Sequence, residues 1–280
     1  MMDLANNNPL FYNSALLFSQ ESMEKLKNAK IALAGLGGIG SITLEMLVRS
    51  GIENFKIADY DKYSKENLNR QLFATVDTIG KNKALVAKER MLKINPSCNI
   101  EVFKDGVTYK NAHDFCKDSD IILVLPDSEA IKVLIHKIAK KNKTPCIMAS
   151  RDSLENASRW FIRAKLWDYK NENTVSFAKT NHPELDKFEI EELNQDILDK
   201  YDEKIKIKKM NLFKEKALKG ADLFKSISKK DLIERIENTP DYYNRHVCSV
   251  IANSAGCFAA VSAIKYILRE KCEYIGIDLW

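Results

Sequence analysis

The stretch AKIALAGLGGIGSITLEMLVRSG (29–51), continued by IENFKIADYDKYSKENLNRQLFATVDTIGKNK (52–83), decides how this chain is read. An apolar run, Ile31 to Ala34, ends in Gly35-Leu36-Gly37-Gly38-Ile39-Gly40. A helical pattern follows within 39–50, with Ile42, Leu44, Met46 and Leu47 spaced for packing on a sheet, and Gly51 stops it. A second apolar run, Asn54 to Ala58, is tipped by Asp59 and Asp61. A strand, a glycine turn, a helix and an acid-tipped strand form the context that gives a glycine motif meaning as a nucleotide loop. Glycines let backbone N–H groups approach a phosphate or ribose with no Cβ in the way. Asp59, 19 residues past Gly40, is placed to accept hydrogen bonds from ribose hydroxyls. To this point NAD and ATP fit equally well.

Outward from that unit the pattern repeats. Ser19 is expected to cap a helix over 17–29. A helix over 80–93 is closed by Asn95-Pro96. A third strand is expected at Ile100–Lys104, a short helix at Asn111–Lys117, and a fully aliphatic strand at Ile121–Leu125. Pro126-Asp127-Ser128 then opens a helix over Glu129–Lys140, and Cys146–Ala149 is a fifth strand. Strands alternating with helices predict a Rossmann-like α/β fold with a doubly wound, mostly parallel sheet. After Ser150, residues 160–166 and 174–178 alternate like antiparallel strands around a turn at 168–173. A long small-residue-rich helix over Arg245–Arg269 and a final strand in EYIGIDLW complete the chain.

Between them lies a charged helical insertion at about 181–244. Residues 184–203 carry nine acids against Lys187 and Lys200, and residues 204–230 carry ten lysines against Glu215 and Asp222. Two readings are open: a pair of helices matching charged faces, and a lid or substrate-docking arm. With no internal repeat or linker, residues 1–280 read as one domain carrying this insertion.

Composition narrows the class. Hydrophobic residues make up 45% and charged residues 30% of 280, as in ordinary globular proteins. The net charge of +5 permits an anionic ligand without demanding one. The N-terminus lacks the build of a signal peptide, so a cytoplasmic location is expected. Residues 247–268 are interrupted by Ser249, Asn253, Ser254, Ser262 and Lys265, which predicts a buried helix rather than a membrane span. Six scattered cysteines with no CxxC pair predict neither a disulfide framework nor a four-cysteine zinc site. Cys146, Cys248 and Cys257 are expected to be buried, and Cys116 partly exposed; none is assigned as a nucleophile.

The residues after Asp59 separate the two nucleotides. Asn67-Leu68-Asn69-Arg70-Gln71 brings a guanidinium and amides just beyond the acidic strand end, and Lys83 follows Gly80. A dinucleotide oxidoreductase has no need of an Arg and a Lys converging here. A triphosphate does, because its charge must be neutralised and its leaving pyrophosphate stabilised. Asp127, at the carboxyl end of a neighbouring buried strand, is placed to hold Mg²⁺.

The motifs GLGGIG, DYDKYSKENLNRQ, GKNK and LPD, in that order, resemble those of the ThiF/MoeB/HesA family, bacterial relatives of ubiquitin-activating enzymes. The resemblance implies ATP-dependent adenylation of a carboxylate, typically the C-terminus of a small ubiquitin-like sulfur-carrier protein, with release of pyrophosphate. It makes Gly35, Gly37, Gly38 and Gly40 the nucleotide loop and Asp59 the ribose ligand. Asn67, Arg70, Gln71 and Lys83 become triphosphate contacts, with Asp61 beside them, and Asp127 the magnesium ligand. It also implies a homodimer through the late apolar helix.

Four features depart from the family pattern. The segment whose second arginine reaches the partner subunit's ATP reads Phe11-Tyr12-Asn13-Ser14, with Arg151 the candidate substitute. Zinc-ligand CxxC pairs are missing, so no structural zinc is expected. SRDSLENASR replaces the glycine-rich turn after the fifth strand. The charged insertion has no counterpart in the compact sulfur-carrier activators. A substrate peptide is therefore an alternative to a sulfur carrier. A tRNA-modifying enzyme resembling threonylcarbamoyladenosine dehydratase, an ATP-binding scaffold impaired in catalysis, and an NAD-dependent dehydrogenase follow in that order.

Overall fold

The computed structural model describes residues 11–153, 160–167, 183–220, 230, 234, 249–269 and 275–278. Two short helices lead in, α1 (Tyr12–Leu17) and α2 (Gln20–Asn28). Ser19 caps α2 as expected, its Oγ accepting from the Ser22 N–H, while Met23 and Leu26 turn into the core. Then follow β1 (Lys30–Ala34), α3 (Gly38–Arg49), β2 (Asn54–Ala58), α4 (Lys83–Ile94), β3 (Asn99–Phe103), α5 (Ala112–Cys116), β4 (Ile121–Val124), α6 (Glu129–Lys141) and β5 (Cys146–Ser153). Each lies within a few residues of its expected place, because each boundary carries its own signal. Asn82 caps α4, Ser128 caps α6, and Asn95-Pro96 follows α4.

The sheet runs β3-β2-β1-β4-β5-β6-β7, with β6 (Trp160–Trp167) and β7 (Ile275–Asp278) at one edge. Strands β1 to β5 pair in parallel; β5–β6 and β6–β7 are antiparallel. This is the Rossmann-like, mostly parallel sheet with an antiparallel extension that the sequence predicts. The strand expected at 174–178 lies outside the described residues. The chain leaves β1 toward β2 and β3, then crosses back to β4, so the order reverses between β1 and β4. Ligands bind at such a switch point, beyond the carboxyl ends of the strands.

Helix α9 (Ser249–Ile267) packs on α3 through small residues. A Cβ on Gly256 would come within 1.8 Å of Ile42 Cγ2, and Thr43 Oγ1 donates to the Gly256 carbonyl at 3.1 Å. That approach sets Ala252 against Gly38, where an added Cβ would meet Ala252 Cβ at 3.0 Å. The late helix thus buttresses the glycine turn. Its buried face is Ala252, Ala255, Ala259 and Ala263, which leaves Cys257 facing outward and exposed, contrary to expectation. Cys116 is also corrected: it is fully buried under α5, and burial pushes its thiol up to about 12. Cys146 is buried as expected, and Cys248 lies outside the described residues.

The charged stretch differs most from expectation. Among the described residues, the acid block runs on into the lysine block rather than lying beside it as a second helix. One helix, α8 (Gln195–Gly220), runs across their boundary after a short α7 (Pro183–Asp186). Opposite charges pair within α8, as Lys200–Asp196 at 2.7 Å, and between α8 and α7, as Lys204–Glu184 at 2.7 Å. Leu185, Ile190, Leu193, Leu198 and Tyr201 are buried in one core cluster with Leu134, Ile135 and Ile138 of α6. This part of the expected insertion is therefore anchored on the sheet-covering helix beside the switch point.

Candidate active site

The strand register places the site. Ala58, Ala34 and Val124 are aligned across β2, β1 and β4, so the residues after them meet on one line. Gly35 N–H donates to the Ala58 carbonyl at 2.8 Å, and Leu125 N–H to the Ala34 carbonyl at 2.9 Å. Gly35 (φ +89°) has Leu125 backbone 2.5 Å from where its Cβ would be, and a Cβ on Gly40 would sit 1.8 Å from the Gly35 carbonyl oxygen. Both positions need glycine for close approach of backbone. At Gly37 a Cβ would meet only Gln71 Nε2 at 3.9 Å, so this glycine borders open space. Helix α3 starts there with no side-chain cap, leaving its first N–H groups and positive dipole end turned to that space.

A cleft opens at this point, walled by Gly35, Gly37, Gly38, Asp59, Asp61, Arg70, Gln71, Lys83 and Asp127. Nine of the eleven residues picked from the sequence thus share one cavity. Gly40 lies behind the turn. Asn67 is buried outside the cleft, where its Oδ1 accepts from the Ser64 N–H at 3.1 Å and caps a helical turn at Lys65–Asn67.

Asp59 forms the floor. Its carboxylate accepts from the Leu36 N–H at 2.7 Å and the Asp61 N–H at 2.9 Å. Burial pushes it up to about 6 even so, against the nearby Lys83 charge and these two hydrogen bonds, which favour the ionised form. Lys83, the first residue of α4, is 6% exposed and reaches Asp61 at 2.8 Å, Asp61 being 46% exposed. Its ammonium also lies 6.0 Å from the Tyr63 ring centre. Arg70 is held by donating to the Glu66 carbonyl at 2.6 Å and to Asn69 Oδ1 at 2.9 Å. Gln71 is buried, and its Oε1 has no hydrogen-bond partner among the described residues. A buried acceptor in a cleft wall calls for a donor from a ligand or water.

Asp127 is exposed at the carboxyl end of β4. Among the described residues no group of three or more His, Cys, Asp or Glu gathers to hold a metal. The exposed Asp127 carboxylate is of a kind that suits Mg²⁺, which is held by one or two carboxylates, waters and substrate phosphates.

Sequence reasoning missed several residues. Tyr60, exposed at the cleft rim, stands over Gly106 (φ +77°). Gly106 and Val107 line the cleft, and a glycine just past a strand of such a sheet was the signal for them. Ser128 also lines it, held by Asp202 from α8. Nothing local in the acid run distinguishes Asp202 from its neighbours. Arg151 lies on β5 opposite Ile162, with its side chain outside the described residues.

A ThiF family model matches residues 12–278. The chain is 33% identical over 144 residues to the tRNA threonylcarbamoyladenosine dehydratase of Haemophilus influenzae, covering 51% of this chain and 55% of that one. It is 37% identical over 127 residues to a probable molybdopterin-synthase adenylyltransferase of Porphyra purpurea, covering 44% and 33%. The chain thus spans about half the length of the first of these relatives and a third of the second. Among solved structures, the E. coli tRNA N6-threonylcarbamoyladenosine dehydratase, TcdA, in complex with AMP shares the fold, with a TM-score of 0.59 and 20% identity over 93% of this chain and 95% of that one. The match over nearly the whole length, on the glycine turn and acid-tipped strand described above, settles the affiliation: this chain belongs to the ThiF family.

Proposed function

We propose that this protein is an ATP-dependent adenylyltransferase that activates a carboxylate, acting as one domain over residues 1–280. The observation that carries the reading is the pairing, in one cleft, of an uncapped glycine helix start with two cations, Arg70 and Lys83. An NAD site needs the first but not the second. The backbone N–H groups at Gly37 and Gly38 bind phosphate oxygens, and Asp59 accepts from the ribose hydroxyls. Lys83 and Arg70 neutralise the triphosphate. The substrate carboxylate enters ionised, so no base is required. One of its oxygens attacks the α-phosphorus, a phosphorus–oxygen bond forms, and the bond to the bridging oxygen breaks. The pyrophosphate leaves with that electron pair, its charge met by the two cations. Mg²⁺ held at Asp127 would add charge neutralisation on the phosphates.

For the substrate we favour the C-terminus of a small ubiquitin-like sulfur-carrier protein or a peptide over tRNA. Lys204 and Lys209 of α8 are drawn into ion pairs with Glu184 and Glu129, and exposed acids lie beside them. The acid block of residues 184–203 adjoins these lysines and would repel a polyanion such as tRNA. Named relatives act in both settings, and tRNA modification stands as the second reading on that ground alone. Cys257 and Val261, exposed four residues apart on α9, support a homodimer through the late helix.

Calorimetry with ATP and with NADH tests the nucleotide: tight NADH binding with no ATP affinity would sink the proposal. Mass spectrometry of a co-purified small protein or peptide supplies the substrate for ATP–pyrophosphate exchange. Exchange that survives Arg70→Ala and Asp127→Ala unchanged would show that the chemistry lies elsewhere.

A further inference from the structure

The turn that carries Asp127 is held from two sides. On the sheet side, Leu125 N–H donates to the Ala34 carbonyl at 2.9 Å, and the missing Cβ of Gly35 lets the turn backbone close down on β1. On the other side the hold comes from a residue some 70 positions later. Asp202 Oδ1 accepts from the Ala130 N–H at 2.9 Å, and Ser128 Oγ donates to Asp202 Oδ2. Ser128 Oγ in turn accepts from the Ile131 N–H at 3.0 Å. The start of α6 is therefore closed by a two-residue cap in which the charge comes from another helix. Helix α8 is seated there by Leu198 and Tyr201, buried against α6, and by the Lys209–Glu129 pair at 2.6 Å.

We propose that Asp202 is a positioning residue for Asp127. By locking Ser128 and the first turn of α6, it aims the neighbouring carboxylate into the cleft. The same contact ties the charged segment to the nucleotide site, so that seating of α8 sets the metal-binding strength of that site. This inference rests on the reading of the cleft as a magnesium–ATP site. Its physical basis is that partners which orient a ligating carboxylate govern metal affinity roughly 10–100-fold without touching the metal.

The test is calorimetric titration of the full chain with ATP, once in Mg²⁺ and once in EDTA, with thermal unfolding run beside it. In the natural protein ATP binds more tightly with Mg²⁺, and Asp127→Ala removes that gain. Asp202→Ala is expected to cut the gain roughly 10–100-fold while leaving metal-free ATP affinity unchanged. In the Asp127→Ala background it should add nothing. Lys209→Met, which loosens the seating of α8 without touching the cap, should cut the gain too, but by less than Asp202→Ala does. Should Asp202→Ala fail to fold, Asp202→Asn replaces it, keeping the shape and one acceptor and losing part of the gain. A magnesium gain that persists in the Asp202 variants but vanishes in Asp127→Ala overturns the role of Asp202 and leaves the site reading intact. A gain absent from the natural protein, or untouched by Asp127→Ala, overturns the magnesium site itself.

Discussion

Lys83→Met separates a ligand-binding lysine from a structural one. The ammonium is almost fully buried at the first position of α4, where the helix dipole is positive and costs a cation about 0.3–1 kcal/mol. Among the described residues its ion pair is with Asp61, which is half exposed and stays solvated when the partner is removed. Such a pair contributes about 1 kcal/mol or less, and the contact with the Tyr63 ring about 0.5–1 kcal/mol. Methionine keeps most of the packing volume and removes the dipole and desolvation costs. These opposing effects nearly cancel, so folding stability should move by about 1 kcal/mol in either direction. That corresponds to about 2–4 °C in Tm for a chain near this size. Nucleotide binding should respond quite differently. A charge-assisted hydrogen bond to phosphate in a buried site is worth about 1.5–3 kcal/mol, so ATP affinity should fall roughly 10–150-fold. Differential scanning calorimetry and ATP titration on the same preparation read both quantities. A large drop in Tm with unchanged ATP affinity would show Lys83 to be a structural ion-pair partner, and the argument from two converging cations would collapse.

Other outcomes follow from the same geometry. Burial pushes the Asp59 carboxyl up to about 6, above the ordinary aspartate value, so its ionised form is disfavoured by folding. The cost, about 2–3 kcal/mol, is present in full above pH 6 and relieved as pH falls from 6 toward 4. Asp59→Asn should therefore lose a stability gain that the natural protein shows between pH 7 and pH 5, read by denaturant titration at both values; equal pH dependence in the two would refute the assignment. Gly40→Ala drives a Cβ into the Gly35 carbonyl and should abolish ATP binding, while Gly256→Ala, which drives one into Ile42 and the Ile39 carbonyl, should destabilise by about 1–3 kcal/mol and weaken ATP binding less, by shifting α9 off the glycine turn. Cys257 should react with a maleimide in the folded chain once the homodimer is diluted apart, whereas Cys98, Cys116 and Cys146 should react only on unfolding, as peptide mapping would reveal. Slow labelling of Cys257 that speeds up on dilution would place it in a dimer interface.

Much of the fold is legible in the sequence because each βα unit is bounded by local chemistry. The glycine turn, the caps at Ser19, Asn82 and Ser128, and the aliphatic run of β4 each specify an element without reference to distant residues. Seven of the nine cleft residues named from sequence are legible for the same reason: they sit at or just past strand ends and helix starts whose positions in a doubly wound sheet are fixed by its topology, whereas Arg70 and Gln71 lie in the turn after Lys65–Asn67 and are legible only from their motif. Asn67 shows the limit, because an amide that caps its own turn and one that binds a ligand look alike in sequence.

What the sequence determined alone, then, was the layered α/β architecture, most of the residues that line the cleft and the cations within it. Tertiary structure decided the rest. That a charged stretch would form one helix, bury Leu198 and Tyr201 on α6, and send Asp202 to cap the turn beside Asp127 depends on groups some 70 residues apart. A charged run looks the same in sequence whether its carboxylates meet water or a helix start. Only packing brings one of them to the turn, and it is the desolvated, hydrogen-bonded setting there that separates Asp202 from the solvated acids around it.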